Sequence, residues 1–406
     1  LTIFIGRNSS GKSFLLRLMW ALSTAGEGSI DIAMVVLLNT LYERSSKKHT
    51  AESSLERLSQ RNVEEYVKLF ADVLSGSLLQ DAEYMIKEIF SEEKGTIKLS
   101  SEHVNVTVDL SSGKTEMSPR LKDLFEVKDT GFHGVSLRFK APSSSGHALV
   151  SLVRTRKEVK DFLRNSVFQF LGPYFMPFFQ GLTMQRVDFL VDSRAGLLRY
   201  KFPDLLKVQD LSDAVTKDFI HSYLALLDEF HKGEIEVTKE LFEELGFNLN
   251  VVDVEGFKVP YVQLWNGKVF FLSEAPSGIR EALPMALALN SKTGSVVYIE
   301  EPEAHLHPRA QRIVAKMIAN AVKKGKYVII TTHSEFLLYT LSDLVGLYRK
   351  DKEAGLDPNM VSAYLLKRGD KYTEVEKLTV DEYGISEEEF GKVAEEMLDE
   401  RGKIYD

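Results

Sequence analysis

Residues 6 to 13 read Gly-Arg-Asn-Ser-Ser-Gly-Lys-Ser, a spacing typical of loops that bind phosphate. Two glycines let the backbone amides curl around an anion, and the amides that open the following helix add a positive dipole end. The lysine can reach the terminal phosphates of a nucleotide, and the last serine can hold Mg²⁺. We therefore expect the whole loop to bind nucleotide: Gly6, Arg7, Asn8, Ser9, Ser10, Gly11, Lys12 and Ser13.

The neighbouring elements support this interpretation. Residues 1 to 5 are a short apolar run that predicts a buried strand, and residues 14 to 20 predict a helix. A phosphate loop requires this order of strand, loop and helix, whereas a chance turn of the same composition does not.

A second chemical group follows an apolar run near the end of the chain. Residues 296 to 299 predict a buried strand that ends in Glu300 and Glu301. Parallel sheets bind ligands at the carboxyl ends of their strands, so both acids should lie beside the phosphate loop. Because adjacent side chains on a strand point in opposite directions, we assign Glu300 to Mg²⁺, directly or through water, and Glu301 to polarising the attacking water.

Two further motifs complete the candidate site. Residues 327 to 332 predict another buried strand, which ends at His333, and that histidine could donate a hydrogen bond to a γ-phosphate. Ser277 and Gly278 open a helix, which makes a second anion-binding position on the same chain. One nucleotide hardly needs both positions from one copy, so the second is free to cap a γ-phosphate held by another copy.

Composition narrows the class of protein. The 406 residues are 44% hydrophobic and include no cysteine, which excludes disulfides and cysteine-ligated zinc and favours a reducing cytoplasm. The formal charge of −8 argues against a globally basic nucleic-acid binder. A local basic patch is not excluded by this charge, because residues 114 to 164 carry eleven Lys or Arg against six Asp or Glu. Residues 167 to 184 are apolar but interrupted by Gly, Pro and Gln, so we expect no membrane span or membrane partner.

About 260 residues of mixed helix and strand patterns separate the phosphate loop from the Ser277 motif. The phosphate loop between a strand and a helix predicts an α/β fold of the P-loop NTPase type. The distance to the Ser277 motif predicts a large inserted α+β lobe. We expect a head formed by residues 1–27 and 185–366, an inserted lobe over residues 28–184, and an acidic helical tail over residues 367–406.

The order of these motifs resembles the ABC-type ATPases. The sequences of the motifs are more similar to those of the SMC-like, RecF-like and OLD-type branch than to those of transporter subunits. They are most similar to those of predicted OLD-superfamily ATPases. The resemblance covers residues 1–13 and 272–338, and rests on Ser277-Gly278 with Glu281, on the run from Glu300 to Pro308, and on Thr332-His333-Ser334. It is silent across residues 28–183.

The resemblance implies roles for these residues. Ser277 and Gly278 would act as signature residues across a dimer, Glu301 as the hydrolytic base and His333 as the switch histidine. Residues 302–307 would form the loop that crosses the dimer interface, although His305 and His307 leave a metal pair as an alternative. Arg280 stands where transporters usually carry Gln, and the Mg²⁺-sensing position is left to Gln180, Gln185 or Arg194.

The chain also departs from its relatives. It begins at Leu1 without the strand that such proteins place before the phosphate loop, so we expect an N-terminal truncation. It has no Asp-x-Asp pair, so a nuclease activity of the family's kind would have to be on another chain.

These features predict an ATP hydrolase that binds ATP and Mg²⁺ and works as an ATP-sandwiched homodimer in DNA repair or anti-phage defence. DNA and a separately encoded nuclease or effector are the expected partners. The alternatives are a nucleotide-gated clamp with negligible turnover and, less favoured, a transporter ATPase subunit.

Overall fold

The computed structural model describes residues 1–25, 32–39, 59–90, 94–100, 105–112, 114–118, 120–131, 134–140, 150–166, 186–237, 239–254, 256–370, 372–387 and 389–405. The chain divides into two units, one of Leu1–Arg17 with Arg186–Asp406 and one of Leu18–Gln185. These limits differ from those expected for the head, the lobe and the tail, which stay predictions. Gln180 and Gln185, two candidate sensors, lie outside the described residues.

The strands of the described residues are, in chain order, β1 (Thr2–Gly6), β2 (Thr96–Ser100), β3 (Asn105–Asp109), β4 (Thr115–Ser118), β5 (Phe125–Asp129), β6 (Val135–Phe139), β7 (Val150–Val153), β8 (Arg186–Leu190), β9 (Phe247–Val254), β10 (Phe257–Leu264), β11 (Val269–Phe271), β12 (Gly294–Glu300), β13 (Tyr327–Thr332), β14 (Ser362–Arg368), β15 (Thr373–Leu378), β16 (Val380–Asp381) and β17 (Gly384–Ile385).

The α-helices are α1 (Lys12–Thr24), α2 (residues 32–39), α3 (Gln60–Ile89), α4 (Arg156–Ser166), α5 (Arg194–Leu197), α6 (Phe202–Leu211), α7 (Ala214–His231), α8 (Lys239–Leu245), α9 (Ser277–Asn290), α10 (Pro308–Lys323), α11 (Glu335–Leu347) and α12 (Glu389–Tyr405).

A six-stranded sheet forms the centre of the first unit, in the order β15-β14-β1-β13-β12-β8. Strands β14, β1, β13, β12 and β8 are parallel, and β15 pairs antiparallel with β14 at the edge. Since β13 separates β1 from β12, the phosphate loop and the paired acids lie two strands apart at the same carboxyl edge. The predicted mixed α/β fold with a parallel sheet is confirmed.

The central strands are apolar because helices cover both faces of the sheet. Residues 3–5 of β1, 296–299 of β12 and 328–330 of β13 are all buried. Helix α9 is buried over nearly its whole length, from Ile279 to Leu289, and it contacts α5, α7 and β12. Helices α10 and α11 pack against each other and close another part of this core.

An antiparallel meander lies just before α9. Strands β9, β10 and β11 form a three-stranded sheet, and the β10–β11 turn is closed by the Gly267 amide, which donates to the Leu264 carbonyl at 2.9 Å. The meander therefore leads directly to the helix that begins at Ser277.

The second unit combines helix with two antiparallel sheets, in the orders β2-β3-β4 and β5-β6-β7. Helix α3 is capped by Ser59, whose side chain accepts from the Asn62 amide. It buries an apolar stripe that includes Val63, Tyr66 and Phe70, as the three-and-four spacing of the sequence predicts.

The acidic tail differs from its prediction as a helical segment. Strand β14 extends to Arg368, β15 adds an edge strand to the central sheet, and only α12 is helical. The β15 residues Thr-Glu-Val-Glu-Lys-Leu are mostly exposed, and half of them are charged. Such a composition protects an edge strand from further pairing, but it gives no hydrophobic run by which the strand could be predicted. Among the described residues, no helix is long and apolar enough to cross a bilayer.

Candidate nucleotide-binding site

The phosphate loop connects β1 to α1 through backbone conformations that favour glycine. Gly6 has φ 153° and Gly11 has φ 87°. A β-carbon on Gly6 would lie 2.5 Å from the Leu366 carbonyl oxygen and 2.9 Å from the Ser10 hydroxyl. The close approach of β14 therefore requires glycine at the position where the loop begins.

Three non-glycine residues of the described chain have positive φ, and all three belong to the candidate site. They are Ser9 in the phosphate loop (60°), Glu301 after β12 (44°) and His305 (55°). Such conformations cost on the order of 1–3 kcal/mol each and persist where the surroundings impose them, as in many functional sites. Backbone strain is thus concentrated at the carboxyl edge of the sheet.

Lys12 is buried within the curve of the loop. Its ammonium donates to the carbonyl oxygens of Gly6 at 2.9 Å and Arg7 at 3.1 Å. Burial lowers the pKa of Lys12, while the nearby carboxylates of Glu301 and Glu303 oppose that shift. The loop cation and two of the acids therefore share one electrostatic site.

Glu300, the last residue of β12, has a fully buried side chain. Burial raises its pKa, and this is opposed by Arg17 and by a hydrogen bond with the Ser13 side chain. The Asp192 amide, which follows β8, also donates to Glu300 Oε2 at 3.3 Å. Ser13 and Glu300 thus present hard oxygen donors side by side, a set that fits Mg²⁺.

Arg17 is a site residue that the sequence analysis missed. Its Nε and Nη2 atoms lie 3.3 and 3.4 Å from the two carboxylate oxygens of Glu300. The available signal was helical spacing, because residues 13 and 17 are four apart and lie on one face of α1. The spacing alone does not indicate that Glu300, at the end of β12, lies against this face of α1.

Glu301 faces a different set of groups from Glu300. Its Oε1 lies 3.4 Å from His333 Nε2, and its amide donates to the Thr331 carbonyl at 3.1 Å. The hydrogen bond with His333 lowers the pKa of Glu301, and Lys12 adds to this effect. A partly exposed, ionised carboxylate beside Lys12 can accept a proton from a water molecule.

Glu303 holds the end of β13 in position. Its Oε1 accepts from the Thr332 hydroxyl at 2.9 Å and from the His333 amide at 2.6 Å. Burial raises the pKa of Glu303, and these hydrogen bonds oppose the shift. Glu303 belongs to the motif from Glu300 to Pro308, and no individual role was predicted for it. The structure shows that it positions the backbone of His333.

Arg194, a candidate above for the Mg²⁺-sensing position, has a fully buried side chain. Its Nη1 donates to the carbonyls of Leu190, Val191 and Glu300 at 3.3, 2.8 and 2.7 Å. Its Nη2 donates to the Glu301 carbonyl at 3.1 Å. Arg194 therefore joins the ends of β8 and β12.

Glu281 is the counter-ion of Arg194. Its Oε1 lies 3.2 Å from Arg194 Nη2, and its Oε2 accepts from the Ala195 amide at 2.7 Å. Burial raises the pKa of Glu281, while Arg194 opposes the shift. This pair connects α9, which carries Ser277, to the strand ends that carry the acids.

Ser277 and Gly278 are the first two residues of α9, and both are half-buried. A β-carbon on Gly278 would lie 3.2 Å from the His305 carbonyl oxygen, so the loop after Glu301 passes close to this helix start. Among the described residues, no hydrogen bond or ion pair is recorded between Ser277 or Gly278 and the phosphate loop.

Arg280 is buried and contacts backbone carbonyls. Its buried guanidinium donates to the Ala195 carbonyl at 2.8 Å, to the Ser273 carbonyl at 3.4 Å and to the Ala275 carbonyl. These bonds fix the segment that leads into Ser277. Arginine is accommodated here because three carbonyls satisfy it.

The segment after Glu301 ends where His307 caps α10, with Nδ1 accepting from the Arg309 amide. Gln311 donates to the Leu306 carbonyl at 2.8 Å and accepts from the Ser334 hydroxyl at 2.5 Å. The loop of residues 302–307 is thereby tied to the segment that follows His333.

The sequence-predicted residues thus fall into two groups. Lys12, Ser13, Glu300, Glu301 and His333 come together at the carboxyl edge of the sheet. Ser277 and Gly278 form a separate helix start next to residues 305 and 306. A cavity of about 470 Å³ adjoins the first group, and its lining includes Gly6, Arg7, Asn8, His333, Leu366 and Arg368.

Comparison with known proteins agrees with this geometry. Residues 204–338 match the family described as the AAA ATPase domain, a segment that includes the paired acids and His333. No curated protein sequence matches the chain.

Solved structures similar to this chain include heads of SMC proteins. One SMC head, bound to the C-winged helix domain of ScpA, is 12% identical, with 94% of this chain and 90% of that chain covered and a TM-score of 0.39. The SMC head domain from Thermotoga maritima is 11% identical, with 93% and 90% covered and a TM-score of 0.33.

A third structure is an Smc head with an extended coiled coil, bound to the C-terminal domain of ScpA derived from Pyrococcus furiosus. It is 13% identical, with 98% and 92% covered and a TM-score of 0.35. The match of residues 204–338 to the AAA ATPase domain, together with a phosphate loop that faces paired acids and a strand-end histidine, indicates an ATP hydrolase.

Proposed function

We propose that two copies of this chain close head to tail over two ATP molecules and that hydrolysis opens the pair. One observation carries the proposal: a single unit presents two anion-binding elements, the phosphate loop and the α9 start, without a recorded contact between them among the described residues. A site completed by a second copy uses both elements, whereas a single copy uses only the first.

Each residue of the site has its own role in this arrangement. The loop amides and Lys12 bind the phosphates, and Glu301 accepts the proton of the attacking water. His333, hydrogen-bonded to Glu301, donates to the γ-phosphate once nucleotide is present. Ser13 and Glu300 would hold Mg²⁺, which supplies positive charge against the phosphate oxygens when bound.

Mixing two inactive variants tests whether the site is shared. Lys12→Ala removes the phosphate ligand, and Ser277→Arg blocks the helix start, so each variant alone should hydrolyse ATP poorly. In a mixed dimer the intact Lys12 of one copy meets the intact Ser277 of the other. An equal mixture should therefore recover roughly a quarter of wild-type turnover, since half the dimers are mixed and each has one intact site.

The measurement is steady-state phosphate release from the mixture and from each variant alone. Trp265→Ala, at the exposed β10–β11 turn, is the matched control and should behave as wild type. A mixture as inactive as either variant alone would contradict a site shared between copies.

We also propose that the second unit binds DNA through α4. Lys157, Lys160 and Arg164 lie at i, i+3 and i+7 on one side of this helix, while Val159, Phe162 and Leu163 are buried on the other. The helix therefore concentrates part of the local basic excess on one face. A separately encoded nuclease or effector stays a prediction from the resemblance.

The salt dependence of DNA binding tests this surface. Replacing Lys157, Lys160 and Arg164 with Gln should weaken binding and reduce the slope of log K against log salt by roughly one per side chain. Fluorescence anisotropy of labelled duplex DNA measures both quantities. Lys217→Gln, in the first unit, serves as a control, and an unchanged slope in the triple variant would contradict the role of α4.

A further inference from the structure

The cavity beside the phosphate loop has a second wall, formed by the end of β14. Strands β1 and β14 are parallel, and Gly6 is the register partner of Leu366. β14 then continues for two more residues, Lys367 and Arg368, while β1 has already turned into the loop. The end of β14 therefore lies beside the start of the phosphate loop and lines the cavity of about 470 Å³.

The strand order sets the direction in which a nucleotide extends. The acids and His333 lie at the ends of β12 and β13, on one flank of β1, and β14 lies on the other flank. A γ-phosphate near Glu301 and His333 thus places the remainder of the nucleotide toward β14. The nucleoside end should reach the turn that follows Arg368.

This turn carries two large side chains with unused binding groups. It is closed by the Gly369 amide, which donates to the Tyr372 carbonyl at 2.9 Å. Tyr372 is 76% exposed, and among the described residues neither its hydroxyl nor the Arg368 guanidinium has a recorded partner. Lys367, by contrast, is paired with Glu376.

A second cavity of about 380 Å³ extends the first one along the turn. Its lining includes Arg368 and Tyr372, and Lys367 and Arg368 line both cavities. The space beside the phosphate loop therefore adjoins a groove lined by a planar cation and a phenol ring. Both groups stack on the faces of nucleobases.

We propose that the β14–β15 turn forms the nucleoside subsite, in which Arg368 and Tyr372 bind the base of ATP by stacking. The proposal rests on the phosphate placement given under Proposed function. It makes the carboxyl-terminal hairpin part of the nucleotide site. Stacking reads the face of a base, so the subsite contributes affinity for a nucleoside and none for a bare polyphosphate chain.

Titration with two ligands separates this subsite from the phosphate loop. The ligands are Mg-ATP and inorganic Mg-tripolyphosphate, which has the phosphate chain without a nucleoside. Tyr372→Ala and Arg368→Ala should each raise the Kd for Mg-ATP about tenfold, a typical loss for one base stack. Neither should change the Kd for tripolyphosphate.

Two controls make the outcomes distinct. Tyr327→Ala removes a tyrosine that is 52% exposed at the opposite end of the same sheet, and it should leave both ligands unaffected. Lys12→Ala should abolish binding of both ligands. If this variant still binds them, the phosphate placement is wrong, regardless of the results for the two turn variants. With Lys12→Ala behaving as expected, unchanged ATP binding in both turn variants, or an equal loss of both ligands, would overturn the nucleoside subsite.

Discussion

Two arginine–glutamate pairs lie at the carboxyl edge of the central sheet and differ in their access to solvent. The side chains of Arg194 and Glu281 are both 0% exposed. In the other pair Glu300 is equally buried, but Arg17 is 31% exposed. The closed pair is hydrogen-bonded to backbone groups of three segments, whereas the open pair borders the nucleotide site. We infer that the Arg194–Glu281 pair stabilises the fold and that the Arg17–Glu300 pair affects the Mg²⁺ dependence of ATP hydrolysis.

The largest expected effect comes from breaking the closed pair. Arg194→Ala leaves the Glu281 carboxylate buried without its cation and removes the donors to four carbonyls. Loss of one partner of a buried pair costs about 3–5 kcal/mol, so the free energy of unfolding should fall by that amount. Urea denaturation followed by circular dichroism measures it, and a loss of less than about 1 kcal/mol would contradict the structural role.

The matched change in the open pair should act on function more than on stability. Arg17→Ala leaves Glu300 with the Ser13 hydroxyl and the Asp192 amide as partners, so we expect a loss of about 1 kcal/mol in unfolding free energy. The Mg²⁺ concentration for half-maximal ATP hydrolysis should change severalfold. Stability loss equal to that of Arg194→Ala, with unchanged Mg²⁺ dependence, would remove the distinction between the pairs.

Acid pH sharpens the comparison at Glu301, because its pKa is lowered by His333. A carboxyl group whose pKa is lower in the folded state than in the unfolded chain stabilises the fold at pH values above its unfolded-state pKa. This contribution is lost as the pH falls through the folded-state pKa. His333→Ala removes the main cause, so the acid limb of kcat/KM should move to higher pH. Profiles of the variant and the wild type between pH 4 and 8 test this, and a limb that stays in place would contradict the coupling.

The smallest effect is expected at a fully open pair. Lys316 and Glu240 lie 3.4 Å apart with side chains 46% and 55% exposed. Lys316→Ala should change the unfolding free energy by less than about 0.5 kcal/mol, since solvent screens such pairs. The same urea series gives this value, and a change comparable to that of Arg17→Ala would show that exposure does not rank these pairs.

The residues predicted from the sequence are those whose signal is local. Residues 6 to 13 specify a phosphate loop by spacing alone, and an apolar run ending in two acids predicts a buried strand with Glu300 and Glu301 on opposite sides. The structure has the loop and the buried strand, because both depend on geometry over a few residues. Glu301 lies just beyond β12 with φ 44°, so this turn and not strand alternation sets the direction of its side chain.

The residues that were missed or misread depend on contacts far apart in the chain. Arg194 donates to a carbonyl 106 residues away, and Arg17 pairs with an acid 283 residues away. Whether such an arginine faces nucleotide or backbone is decided by tertiary packing. The edge strand β15 was missed for a related reason, since its stability comes from pairing with β14 and not from its own hydrophobicity.

The mass of the Glu301→Gln variant in solution tests the central claim most directly. Light scattering coupled to size exclusion, with Mg-ATP in the buffer, should show twice the mass of one chain, because ATP is bound but not hydrolysed. The same variant carrying Ser277→Arg should remain at the mass of one chain. A Glu301→Gln protein that binds Mg-ATP and stays at single-chain mass would contradict an ATP site shared by two copies.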